Sequence, residues 1–183
     1  MLRKTVAVLA AALLCASMST PAKAADGKIG VANPIRISTQ SDPGKEAQRQ
    51  LESMFGKERK QLEQQNADLN KQAEDLRKQA AALSDKARSE RAQKLQKTAQ
   101  ELDSKGAAFA QRLQRVQQDI NAQMNDVLLT ASKNYAQKNG YEMIIDSQVV
   151  MFFTTPHDVT EGLIKEVNSV WKSRGGKFKI SSK

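Results

Sequence analysis

The sequence predicts an α+β fold: a small β-rich oligomerisation body interrupted by a long antiparallel two-helix coiled-coil arm. Three observations carry this reading. Leu62, Leu69, Leu76 and Leu83 recur seven residues apart in a region, from about Lys45 to Lys138, that has no proline and only Gly56 and Gly106 as glycines. Short β-type runs flank that region on both sides. The heptad phase breaks once, between Leu83 and Leu95, which a straight helix would have to absorb as an irregular skip and a reversal of the chain accommodates without strain.

Residues 1–24 read as a removable signal peptide. Met1 to Lys4 is a basic head, Thr5 to Ser17 is mainly apolar, and Ala22-Lys23-Ala24 is an A-x-A cleavage signature. The apolar run is shorter than the roughly 20 residues a membrane-spanning helix needs, and the bulky Leu14 before Cys15 argues against a lipid-attachment box. The expected location is therefore the periplasm of a double-membrane bacterium. Cleavage after Ala24 removes the only cysteine, so neither a disulfide nor a thiol nucleophile is expected in the mature chain.

Residues 25–44 open the body. In "KIGVANPIRI", Lys28 to Ile37, the apolar residues Ile29, Val31, Ile35 and Ile37 alternate around Asn33-Pro34, which reads as an edge strand interrupted by a bend. The arm, residues 45–138, follows. Its stripe alternates leucine with Ala73, Ala80 and Ala87, then resumes at Leu95, Leu102, Phe109 and Val116 with Ala99, Gly106, Leu113 and Ile120 between. Ser84 or Asp85 can cap a new helix, and pairing the two ladders about a centre between Asp85 and Lys86 matches Leu76 with Leu95 and Leu69 with Leu102. The tip is accordingly expected at residues 84–86.

Residues 139–183 return to the body. Asn139-Gly140 ends the arm. "YEMIID" and "VVMFF" around Ser147-Gln148 suggest a β-hairpin. "DVTEGLIKEVNSVW" starts with a capping-box-like Asp158 and Glu161 and sets Val159, Leu163, Val167, Val170 and Trp171 on one helical face, and the basic tail suits a last short strand. Without the arm this body is below the roughly 70–80 residues at which one core becomes comfortable. An oligomer is therefore expected, with arms projecting from a shared hub and Ile29, Val31, Ile35, Ile144, Val149 and Phe152 as candidate body and interface core residues.

The formal charge is +9, and export removes only Arg3, Lys4 and Lys23 of its cations, so the chain stays basic. Outside the cytoplasm the fitting partners are lipopolysaccharide, an anionic lipid surface or an acidic protein, and nucleic acid is disfavoured. Lys86, Arg88, Arg91, Lys94 and Lys97 face only Glu90 between them, which concentrates positive charge at the predicted tip. The plainer reading of such a run is a solvated helix face. Met54, Met124, Leu128 and Leu129 lie beyond the thin seam and are candidate apolar contacts, methionine being especially adaptable.

Catalytic chemistry is not legible. His157 is the only histidine and follows Thr154-Thr155-Pro156, where a solvated turn residue is expected rather than a zinc ligand or acid–base group. There is no phosphate-cradling glycine loop and no serine elbow, so neither an enzyme nor a cofactor is expected.

Taken together, "KIGVANPIRI", the long hairpin with Leu83-Ser84 at its turn, "GYEMIIDSQVVMFF" and "DVTEGLIKEVNSVW" resemble the Skp/OmpH family of periplasmic chaperones. The resemblance implies a jellyfish-like homotrimer and an ATP-independent holdase for unfolded outer-membrane proteins, with lipopolysaccharide as a further partner. A structural tether between envelope layers would share the export signal and heptads, and a polyanion-binding protein would share the charge.

Overall fold

The structure, a computed structural model, describes residues 27–180; the signal-peptide reading falls outside them. The element order is β1 (Lys28–Ala32), α1 (Pro34–Gln40), α2 (Asp42–Gln79), α3 (Asp85–Asn139), β2 (Tyr141–Asp146) and α4 (Thr160–Ser173), with single 3-10 turns at Ser147–Val149 and Thr155–His157.

The expected strand through Asn33-Pro34 does not form. The Asn33 side chain accepts a hydrogen bond from the Arg36 N–H, and Pro34 takes the first turn of α1. An Asn N-cap followed by proline is a helix start: the cap satisfies an orphan donor, and proline has no N–H to lose there. Ile35 and Ile37 thus lie on a helix, Ile37 buried and Ile35 on the surface. Ser41 then serves two helices, its N–H bonding to the Ile37 carbonyl at 3.1 Å and its Oγ accepting from the Gly44 N–H at 3.3 Å.

The phase break appears as a real break in helix. α2 ends at Gln79, residues 80–83 turn, and the Ser84 hydroxyl accepts from the Ala87 N–H to cap α3. Asp85 and Lys86, expected at the apex, are already in the first turn of α3. Contacts between the two long helices join Phe55 to Phe109, Glu58 to Arg112 and Gln79 to Arg91. At 1.5 Å per residue α2 is roughly 57 Å long and α3 roughly 80 Å. Along their outer part only a thin stripe, including Leu62, Leu69, Leu76, Leu95 and Leu102, is half-buried, and Ala73 is exposed.

The expected hairpin is also absent. β1 pairs with β2 in parallel, Gly30 opposite Ile144 and Val31 opposite Ile145, a pairing that needs a long crossover, and α1 to α3 supply it. Asp146 ends β2 by accepting from the Gln148 N–H at 2.8 Å, and the chain leaves the sheet before Val149. The outer edge of β1 is covered by the segment before α4: the Val31 carbonyl accepts from the Val159 N–H at 2.9 Å, and the exposed His157 ring bonds through Nδ1 to the Ile29 carbonyl. β2 keeps one edge without a partner strand among the described residues.

The core lies where α4 crosses α3. Leu163, Val167, Val170 and Trp171 bury one face of α4 against a cluster that includes Val116, Ile120, Val127 and Ala131 of α3. These α3 residues are four, seven and four apart, the same heptad logic now buried by a third helix. Glycines 175 and 176 take positive φ and turn the tail back, so that Phe178 packs on Trp171 at 4.5 Å. No final strand forms among the described residues; instead the Gln123 amide bonds both to the Lys179 N–H and to its carbonyl. The expected capping box does not form, because Val159 is the N-cap of α4 and makes no side-chain cap bond. Asp158 accepts from the Thr160 N–H, while Glu161 turns away to pair with Arg36.

Candidate binding surface

Candidate contact residues fall into three places. Lys86, Arg88, Lys94 and Lys97 are exposed near the turn between α2 and α3. Arg88 pairs with Asp85 at 2.7 Å, and Arg91 reaches across to the Gln79 side chain at 2.9 Å, so part of this charge is used locally. Arg91 and Lys94 also border a cleft of about 320 Å³ with Leu76 and Leu95 at its base.

Of the four candidate apolar contacts, Met54 and Leu129 are free, at 45% and 72% exposure. Met124 and Leu128 are half-buried and pack against the core cluster. Among the body candidates Val31 is buried and Ile144 packs against the core, whereas Ile29, Ile35, Val149 and Phe152 lie on the surface of the single chain. Met151 is fully exposed and Phe152 is 82% exposed, so the segment that follows β2, Val149 to Phe152, presents an apolar ribbon.

The body side is held by polar ties between segments far apart in sequence. The Thr160 Oγ1 accepts from the Asn33 N–H at 3.0 Å. Its partner Asp158 is held below the usual carboxylate range, first by the Thr160 hydrogen bonds and then by the positive charge of Arg36. Asn168 on α4 accepts from the Asp42 N–H at 2.7 Å, fixing the start of α2 to α4. Tyr135 stacks on Tyr141 at 5.8 Å, and burial pushes its hydroxyl pKa up.

One surface was missed from the sequence. A cleft of about 980 Å³ opens between α2 near its start and α3, with Phe55 and Phe109 in its floor and Lys45, Arg49 and Arg59 at its edge. These cations form no run in the sequence, because Glu46, Glu52 and Glu58 are interleaved with them. The signal was their spacing of four and then ten residues, which returns each to one helical stripe. Among the described residues no group of histidine, cysteine and acidic side chains could hold a metal ion, and no helix is long and apolar enough to cross a membrane.

A family model described as "Outer membrane protein (OmpH-like)" matches residues 28–167, from β1 into α4. The chain belongs to the OmpH-like family. Relatives named Chaperone protein Skp support the same assignment: that of Yersinia enterocolitica is 25% identical over 159 residues, covering 87% of this chain and 97% of the relative. That of Photorhabdus luminescens is 26% identical over 162 residues, covering 85% and 98%. A solved OmpH-like structure from Caulobacter crescentus CB15 superposes with a TM-score of 0.60 at 17% identity, covering 85% of this chain and 89% of the other, and so shares the fold. For an OmpH-like chain, the long helices and the small strand pair are thus the expected frame.

Proposed function

We propose that this OmpH-like protein is an ATP-independent holdase chaperone that binds unfolded outer-membrane β-barrel proteins in the periplasm and keeps them from aggregating until they insert. The observation that carries the reading is the family match across β1, both long helices, β2 and most of α4, joined by relatives named as chaperones over nearly their whole length. A holdase of this kind works by binding, so no catalytic step is required of it.

Residues 25–44 and 139–183 form the body and residues 45–138 an antiparallel two-helix arm; the contacts of Glu58 with Arg112 and Gln79 with Arg91 support that division. The working unit is a homotrimer. A two-stranded sheet is marginal alone; the open edge of β2 offers a neighbouring subunit backbone groups to pair with, and the exposed ribbon at Val149 to Phe152 offers apolar area.

Three basic arms attract unfolded clients of net negative charge in a salt-dependent encounter. Weak, scattered apolar contacts at residues such as Met54 and Leu129 then hold the chain without imposing a structure on it. Strands of membrane barrels alternate apolar and polar residues, and a surface offering both kinds of contact suits them. Release needs no nucleotide because the inserted barrel is the more stable state. Lys86, Arg88, Arg91, Lys94 and Lys97 offer a second, electrostatic contact to lipopolysaccharide or an anionic lipid surface.

The test is light scattering after a urea-unfolded outer-membrane β-barrel protein is diluted into buffer. A few-fold molar excess of the chain lacking residues 1–24 suppresses scattering without added nucleotide. Unchanged scattering rejects the chaperone reading and favours an envelope tether or a simple polyanion binder.

A further inference from the structure

We propose that the cleft between α2 near its start and α3 is a defined peptide subsite, taking client segments in which an aromatic side chain lies close to a carboxylate. The proposal rests on the chaperone reading and names where and how the first stable contact is made.

The floor is apolar and aromatic. Leu51, Phe55, Phe109 and Leu113 line it; Phe55 is buried, whereas Phe109 is only half-buried. The two rings meet edge to face at 5.7 Å and 88°. A further ring can extend that arrangement, because the positive edge of one aromatic is attracted to the negative face of another. The volume of about 980 Å³ is at the upper end for small-molecule sites, enough for a large side chain with its neighbours.

The rim is cationic. Lys45, Arg49 and Arg59 border the cleft against one carboxylate, Glu52. Arg59 pairs with Glu52, and Arg49 with Glu46, both at 2.7 Å. Both arginine side chains are more than half exposed, at 53% and 73%, so an incoming carboxylate can compete for these surface pairs. Gln48 and Gln117 complete the lining. Each side-chain amide can donate to and accept from an extended peptide backbone, which an acyl chain could not use.

The turn end of the helices lacks this combination. The cleft near the turn has about a third of the volume, and Arg91 and Lys94 line it with Leu76 and Leu95 and no aromatic. Charge complementarity and the exposed part of Phe109 therefore favour a peptide carrying both an aromatic ring and a carboxylate.

The probe is a fluorescein-labelled twelve-residue peptide with two phenylalanines and two aspartates among serines, measured by fluorescence anisotropy with the chain lacking residues 1–24. Replacing its phenylalanines by alanine, or its aspartates by lysine, is expected to weaken binding about tenfold. On the protein, Lys45→Glu with Arg49→Glu is expected to give a similar loss, while Lys165→Glu on the exposed face of α4 changes it little. Phe109→Ala should also weaken binding; because that variant removes packing, the charge-reversed protein, with its far-ultraviolet circular dichroism unchanged, carries the test.

If the unmodified chain suppresses client aggregation but binds all three peptides equally, or the charge-reversed variant binds as the unmodified chain does, the subsite is overturned and the chaperone reading stands. Failure to suppress aggregation with the peptide preferences intact has the opposite meaning. Two further results overturn the subsite: dodecanoate binding that depends on Phe109 while peptide binding does not, and a changed oligomer mass in the charge-reversed variant with peptide affinity unaltered, which would make the cleft a contact between copies.

Discussion

Two helical glycines of this chain should respond to alanine with opposite signs. Gly44 lies in the first turn of α2, where a Cβ would stand 2.6 Å from the carbonyl carbon of Ser38 and closer still to its oxygen. Those atoms belong to the backbone of α1, which is tied down by the Ser41 cap and by the bond from the Asp42 N–H to Asn168. Ordinary contact needs about 3.4 Å or more, so the elbow between α1 and α2 would have to open by well over an ångström to clear the Ser38 oxygen. Overpacking of this kind costs about 1–3 kcal/mol, which outweighs the roughly 0.5–1 kcal/mol a helix gains when glycine becomes alanine. At Gly106 nothing lies within 4 Å of the new methyl, so only the gain remains. The assay is urea unfolding followed by circular dichroism at one fixed chain concentration, because assembly would otherwise shift the midpoint. Gly44→Ala should lower the midpoint and Gly106→Ala should raise it. Shifts of the same sign would refute the elbow reasoning.

Leu163→Ala should cost about 2–5 kcal/mol in the same assay, because the side chain is 2% exposed at the crossing of α4 and α3 and leaves a cavity behind. Asp158 titrates below its usual value in the folded chain, so its contribution is present above about pH 4 and is lost as pH falls through the folded value. The stability difference between the unmodified chain and Asp158→Ala should accordingly hold from pH 7 to about pH 5 and shrink towards pH 3. Phe152→Asp places a charge in the exposed ribbon that follows β2; sedimentation equilibrium should then report a smaller assembly than for the unmodified chain, with helicity retained.

The long helices were legible because the heptads and the lack of proline act at every position, and one phase break marked where helix stops. What misled was local and two-faced. Asn33-Pro34 fits both a strand bend and a capped helix start, and only tertiary contacts to Thr160 and Glu161 decide between them. The β-forming run at Val149 to Phe153 suggests a second strand of a hairpin, but these residues join no strand, and β2 pairs in parallel with β1 instead. The basic-rimmed cleft escaped notice because its cations are separated in sequence by acids that point elsewhere or pair with them.

The holdase claim is tested most directly by the mass of the complex it requires. A urea-unfolded outer-membrane β-barrel protein is diluted into the chain lacking residues 1–24, without nucleotide, and the soluble fraction is measured by size-exclusion chromatography with light scattering. The expected result is one soluble species with the mass of a trimer plus one client, in which the client lacks the β-sheet signal of its folded barrel. A pelleted client beside a chain that elutes alone would contradict it.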